Sequence, residues 1–187
     1  MIVKFLTSAA FTGLLLNATV GAASAAAQQV TLGADSSFIQ MAASLGLLQV
    51  KLGKLAQEKG SSEVVRDFGK RMVNDYSKAN EELAAGAKQA AFPAPVLLRQ
   101  HQQVLNRISG TGRSSFDKSY MAEMVNEHDQ AVRLFQQESE DGRVASLKQL
   151  ASRLLPTVQQ HQTLATETAR SVGVSVTASN SRERQGS

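Results

Sequence analysis

The chain contains no cysteine, only three prolines and, after residue 27, no apolar run long enough to cross a bilayer. Without cysteine there is no disulfide framework, no thiolate metal ligand and no lipid-modified cysteine, so the apolar core alone must hold the domain. Net charge is small as well: 20 Lys and Arg stand against 16 Asp and Glu, a formal balance of +4. No basic stripe interleaved with aromatics occurs, which excludes a nucleic-acid footprint. Catalytic signatures are missing too, with no His-Glu-x-x-His, no Gly-x-Ser-x-Gly, no Walker-type phosphate loop and no cysteine nucleophile. Gly110-Thr111-Gly112 follows no strand and reads as a turn.

What is present begins with an export signal. Lys4 supplies a positive n-region, Phe5 to Val20 is mostly apolar, and Ala23-Ser24-Ala25 or Ala25-Ala26-Ala27 offers a small-x-small cleavage site. Residues 1–27 are therefore expected to be a cleaved signal peptide, with a mature chain starting near Ala26 or Gln28 and located in the periplasm. Removal of Lys4 leaves 19 basic and 16 acidic residues, a net charge of +3.

Residues 28–34 read as a linker, and 35–170 as one all-α domain, because helical periodicity persists with no period-two alternation. The first helix is expected from Asp35 or Ser36, acting as its cap, to Gly60. Phe38, Met41, Leu45, Leu48, Leu52 and Leu55 form its apolar stripe. Beside it Ala42, Gly46, Gln49, Gly53 and Ala56 make a line of mostly small residues suited to close backbone approach. The second helix starts at Ser61 or Ser62 and buries Val65, Phe68, Met72, Tyr76, Ala79 and Leu83. Pro93 and Pro95 end that region, and a short helix follows with Leu97, His101, Val104 and Ile108 on one side.

Ser114-Ser115-Phe116-Asp117 resembles a capping box for a third long helix carrying Phe116, Tyr120, Met124, Val125, His128, Val132 and Phe135. The fourth carries Leu147, Leu150, Leu154, Val158, His161, Ala165 and Ala169, and Pro156 should kink or divide it. Residues 171–187 have no stripe and read as a disordered tail. Four long amphipathic helices with short connections imply an antiparallel four-helix bundle, with the short helix between the second and third long ones.

The three histidines lie on or beside apolar faces, where an imidazole is either a hydrogen-bonded core residue or a ligand. His128 and His161, on the third and fourth long helices, are candidate metal ligands in the interior. A di-iron site of the usual kind is excluded, because Glu-x-x-His is required on two helices and Val125 and Val158 stand three residues before these histidines. Glu127 points about 100° away from His128. A pure imidazole site suits zinc or copper. Counting from the Asp141-Gly142 turn puts His128 about 13 and His161 about 19 residues away, a height mismatch of about 9 Å at about 1.5 Å per residue. The methionines Met41, Met72, Met121 and Met124 sit at helical spacing and read as core filler.

Four stretches together resemble a bacterial exported, ferritin-like helical family, domain of unknown function 4142, whose members are often labelled outer membrane proteins. They are Phe38 to Ala56 (FIQMAASLGLLQVKLGKLA), Phe68 to Asn80 (FGKRMVNDYSKAN), Phe116 to His128 (FDKSYMAEMVNEH) and Leu155 to Ala165 (LPTVQQHQTLA). The resemblance implies a ferritin-like bundle and no established biochemical activity. It also implies that Gln49 stands where the family has a glutamate and Tyr76 where it has a histidine, while His128 and His161 match. Gln49, Tyr76, His128 and His161 thus form a candidate degenerate metal site.

Two functional expectations follow. The first is an exported, non-enzymatic protein of the bacterial envelope that binds a protein or small-ligand partner or aids stress tolerance, with no cofactor, no nucleic acid, no transmembrane segment in the mature chain, and possible outer-membrane association. The second is a metal-binding module holding zinc, copper or iron weakly through the interior histidines.

Overall fold

The computed structural model describes residues 18–176, with side chains from residue 33 onward; residues 1–17 of the expected signal and 177–187 of the expected tail lie outside the described residues. The described chain is all-helical, with α1 at Ala18–Lys59, α2 at Glu63–Gln89, α3 at Arg99–Ser109, α4 at Arg113–Asp141 and α5 at Ala145–Ser171. Among the described residues no helix is long and apolar enough to cross a membrane. Contacts run around a ring: α1 packs on α2 and α4, α5 packs on α2 and α4, and α3 bridges α1 and α4.

The small-residue line on α1 does what its composition suggests. A Cβ added at Gly69 of α2 would lie 2.7 Å from the Gly53 carbonyl oxygen, and one at Gly53 would lie 2.6 Å from the Gly69 carbonyl oxygen. The two backbones therefore touch, which only glycine permits. Asn80 fills the space left by Gly46 in the same seam.

Two apolar clusters make up the core. One holds Leu48, Leu52, Phe68, Met72, Phe116, Tyr120 and Met124; the other holds Phe38, Ile39, Leu45, Leu83, Phe135, Leu147 and Val158. On every long helix the switch from one cluster to the other falls at or between buried polar side chains. Ser44 and Gln49 flank it on α1, and Tyr76 on α2, Glu127 and His128 on α4, and His161 on α5 stand at it. A polar layer thus crosses the middle of the interior, between the two apolar clusters.

Several helix boundaries differ from the expected ones. Helix α1 does not begin at Asp35; it starts at Ala18 and runs straight through 28–34, the expected linker. The Asp35 carboxylate instead accepts the backbone N–H groups of Arg143 and Val144, at 2.9 and 3.1 Å, where the chain turns into α5. The expected capping box likewise fails. Helix α4 starts at Arg113 with Gly112 in the cap position, and Asp117 accepts the N–H groups of Ser61 and Ser62 at 3.0 and 2.8 Å, at the entrance to α2. Pro156 does not divide α5, which continues through it as one helix. Beyond Ser171, Val172, Val174 and Val176 pack against the first core cluster, so the start of the expected tail is ordered against the core.

Ser62 makes no side-chain cap bond, so Asp117 is the principal acceptor at that end. Asp117→Ala is expected to lower stability by about 1–2 kcal/mol, the usual cost of losing a cap. Asp117→Asn, which keeps one acceptor, should recover about half of that in urea unfolding.

Candidate functional site

Three of the four sequence-predicted ligands converge in the polar layer. Tyr76 lies 5.4 Å from His161 and 6.0 Å from His128 between ring centroids, and the two imidazoles are 5.9 Å apart and nearly perpendicular. The predicted height mismatch is therefore overturned. It counted Gly142 to Val144 as helix, whereas α4 ends at Asp141 and α5 starts at Ala145. Non-helical residues add no helical rise, and the remaining offset, about three residues or about 4.5 Å, is within reach of side chains and stagger.

Each imidazole is held at one nitrogen and open at the other. His128 is fully buried, with its Nδ1 2.7 Å from the Met124 carbonyl oxygen. A carbonyl only accepts, so Nδ1 carries the hydrogen and Nε2 presents a lone pair, which has no partner. In His161, Nε2 lies 2.9 Å from the Asp75 carboxylate, which also meets Arg71 at 3.4 Å. This leaves the buried Nδ1 of His161 as the open acceptor. The hydroxyl of Tyr76, whose ring stands beside both imidazoles, is buried and unpartnered as well.

The electrostatics keep all three groups neutral near pH 7. Burial pushes the His128 imidazole down to about 4, with His161 adding to the effect and the Met124 carbonyl and Asp129 opposing it. Burial lowers His161 too, against the pull of Asp75. The Tyr76 phenol is driven up by burial first and by Glu127 and Asp75 second. Neutral imidazoles with one N–H fixed by an oxygen acceptor are in the form that binds metals. With metal to nitrogen bonds of about 2.0–2.1 Å, two ligating rings sit about 5–6.5 Å apart between centroids, and the observed 5.9 Å falls inside that span.

Gln49, the fourth predicted ligand, is fully buried on α1 at the same level of the core, but its amide makes no hydrogen bond to the rings or to anything else. Among the described residues no group of three or more His, Cys, Asp and Glu side chains forms a metal-ligand set. The cluster offers two imidazoles and a phenol.

A family model described as Domain of unknown function (DUF4142) matches residues 20–168. The chain belongs to that family. No curated protein and no solved structure matches it.

A second polar group in this DUF4142 chain gathers around His101, whose partners the sequence does not signal. The Ser44 hydroxyl accepts the Leu98 N–H at 2.8 Å and lies 2.6 Å from His101 Nδ1. His101 Nε2 stands 3.9 Å from the Glu127 carboxylate, and Glu123 pairs with Arg107 at 2.7 Å. Burial, then the Glu123 carboxyl, pushes Glu127 up to about 7, with Arg107 opposing. The serine, imidazole and carboxylate fall in the order of a hydrolytic triad, yet Ser44 is fully buried and committed to Leu98. The arrangement pins α3 and the segment before it onto α1 and α4. Its sequence signal is faint: Glu123 and Glu127 are one turn apart beside the buried line of α4, and Ser44 is a lone small polar residue outside the small-residue line of α1.

Proposed function

We propose that this is an exported, non-enzymatic protein of the bacterial envelope, folded as an antiparallel four-helix bundle of ferritin-like type, whose polar layer binds one transition-metal ion. The observation that carries the reading is the pair of buried, unpartnered lone pairs on His128 Nε2 and His161 Nδ1, each oriented by an oxygen acceptor on the opposite nitrogen. Buried polar atoms without partners cost free energy, so such a pair calls for an occupant. Two neutral imidazoles beside a protonated phenol favour copper or zinc over iron, which would want carboxylates. Periplasmic location rests on the N-terminal signal pattern, and a role in stress tolerance would follow from buffering a metal outside the cytoplasm.

Untagged protein recovered from the periplasm is expected to carry about one copper or zinc per chain by elemental analysis, and its N-terminus to start near Ala26 or Gln28. His128→Ala/His161→Ala should lose the metal with unchanged helical circular dichroism. Asp75→Ala, which releases the His161 ring without touching a ligand, should weaken binding about 10–100-fold. Metal-free wild-type protein that stays metal-free on titration with copper and zinc would overturn the reading.

A further inference from the structure

A cavity of about 270 Å³ opens between the Ala34 to Met41 stretch of α1 and the end of α4. Its walls include Phe38, Met41 and Leu134, and two carboxyl groups, Asp35 and Glu138, line the same space. Both are buried, at 1% and 6% exposure, and with both groups charged Asp35 Oδ2 and Glu138 Oε1 have no donor; only a proton held between the two carboxyls joins them. The other Asp35 oxygen is committed to the Arg143 and Val144 amides.

We propose that this cavity is a binding site for a small organic monocation, an alkylammonium whose charged head sits between Asp35 Oδ2 and Glu138 Oε1 and whose chain lies against Phe38, Met41 and Leu134. The site is separate from the histidine layer, and the proposal does not depend on that reading. Two facing carboxyl groups need donors between them. One shared proton supplies a single donor and leaves a net negative charge in a partly apolar cavity, whereas an ammonium group supplies three N–H donors and a compensating charge. At about 30 Å³ per water-sized unit the volume also holds a short apolar chain. Exposed Arg143 lines the same cavity, which disfavours a dication.

Glu138 is raised to about 7, by burial first and then by Asp35, with Lys148 opposing, so ligand and proton compete for the same oxygens. Between pH 6 and 8 affinity should therefore increase, with Asp35, Asp141, Arg143 and Lys148 as the other charged groups around the carboxyl.

The test is isothermal titration of the full chain with n-butylammonium and, separately, with n-butanol, in wild type and in Glu138→Gln. Saturable butylammonium binding, at least 10-fold weaker in Glu138→Gln and absent for butanol, is the expected result. Leu134→Phe, which fills the apolar end and leaves both carboxyl groups in place, should also abolish it. No saturable binding of butylammonium would overturn the proposal. Equal binding of butanol, or an affinity unchanged in Glu138→Gln, would also overturn it by showing an apolar cavity indifferent to charge. Circular dichroism of each variant separates loss of the site from loss of the fold.

Discussion

Gly69→Ala is expected to destabilise the protein by about 2 kcal/mol, although alanine is the better helix former by up to about 1 kcal/mol. The added methyl group would lie 2.7 Å from the Gly53 carbonyl oxygen and 2.7 Å from Ala56 Cβ. The first of these is backbone on a packed helix and has no rotamer to change. Helices α1 and α2 must separate, and such overpacking typically costs about 1–3 kcal/mol. Gly53→Ala meets the reciprocal clash and should cost a similar amount. Once one substitution has forced the helices apart, the second meets a seam already widened. The double variant should therefore lose about 3 kcal/mol, less than the sum of the singles. Gly33→Ala serves as the control: nothing lies within 4 Å of its added Cβ, and it should be neutral or slightly stabilising. Urea unfolding of the four variants decides the matter, and a Gly69→Ala protein as stable as wild type would show that the seam is loose.

Glu138→Gln should gain stability relative to wild type as pH rises from 5 to 8, by up to about 3 kcal/mol, since each tenfold difference in proton affinity between the folded and unfolded chain is worth about 1.4 kcal/mol. The folded-state value, about 7, lies above the ordinary 4.5. Wild type therefore binds a proton more tightly when folded. That contribution is fully present below about 4.5 and is lost as pH rises through about 7, while glutamine does not titrate. The comparison must be made between variant and wild type, because other groups bend the wild-type curve. Glu127 acts in the same direction. His128, depressed to about 4, acts oppositely: its contribution is present above 6.5 and is lost as pH falls through 4. Thermal melts at half-unit pH intervals would give the difference curve, and a flat one would show that Glu138 is charged throughout.

Much of this is legible in a single sequence because apolar spacing reports which face of a helix is buried. Phe68, Met72, Tyr76 and Leu83 read as one line, and all four are buried on α2. The same register puts Tyr76, His128 and His161 inside, and they meet there. What the spacing does not carry is where a short polar side chain finds its partner. Asp75 is invisible as the support for His161 because it neighbours Tyr76 and is one-third exposed, like many solvated helix residues. Ser44 and Glu127 sit in small or polar positions whose burial depends on α3 lying over them. Asp35 and Asp117 have the right chemistry for caps, and local pattern assigns them to their own helices.

The bonds made by Asp35 and Asp117 bear on how the protein folds. They secure helix entrances 55 to 109 residues away along the chain. An excised α1–α2 hairpin would lack Asp117 and should fray at Glu63, and a separate α4–α5 hairpin would lack Asp35 at its turn. Neither half finishes its own ends, so each hairpin reaches full helicity only when docked on the other. Ordering of the helices and assembly of the interior should then appear in kinetics as one cooperative event, in which contacts distant in sequence govern the rate.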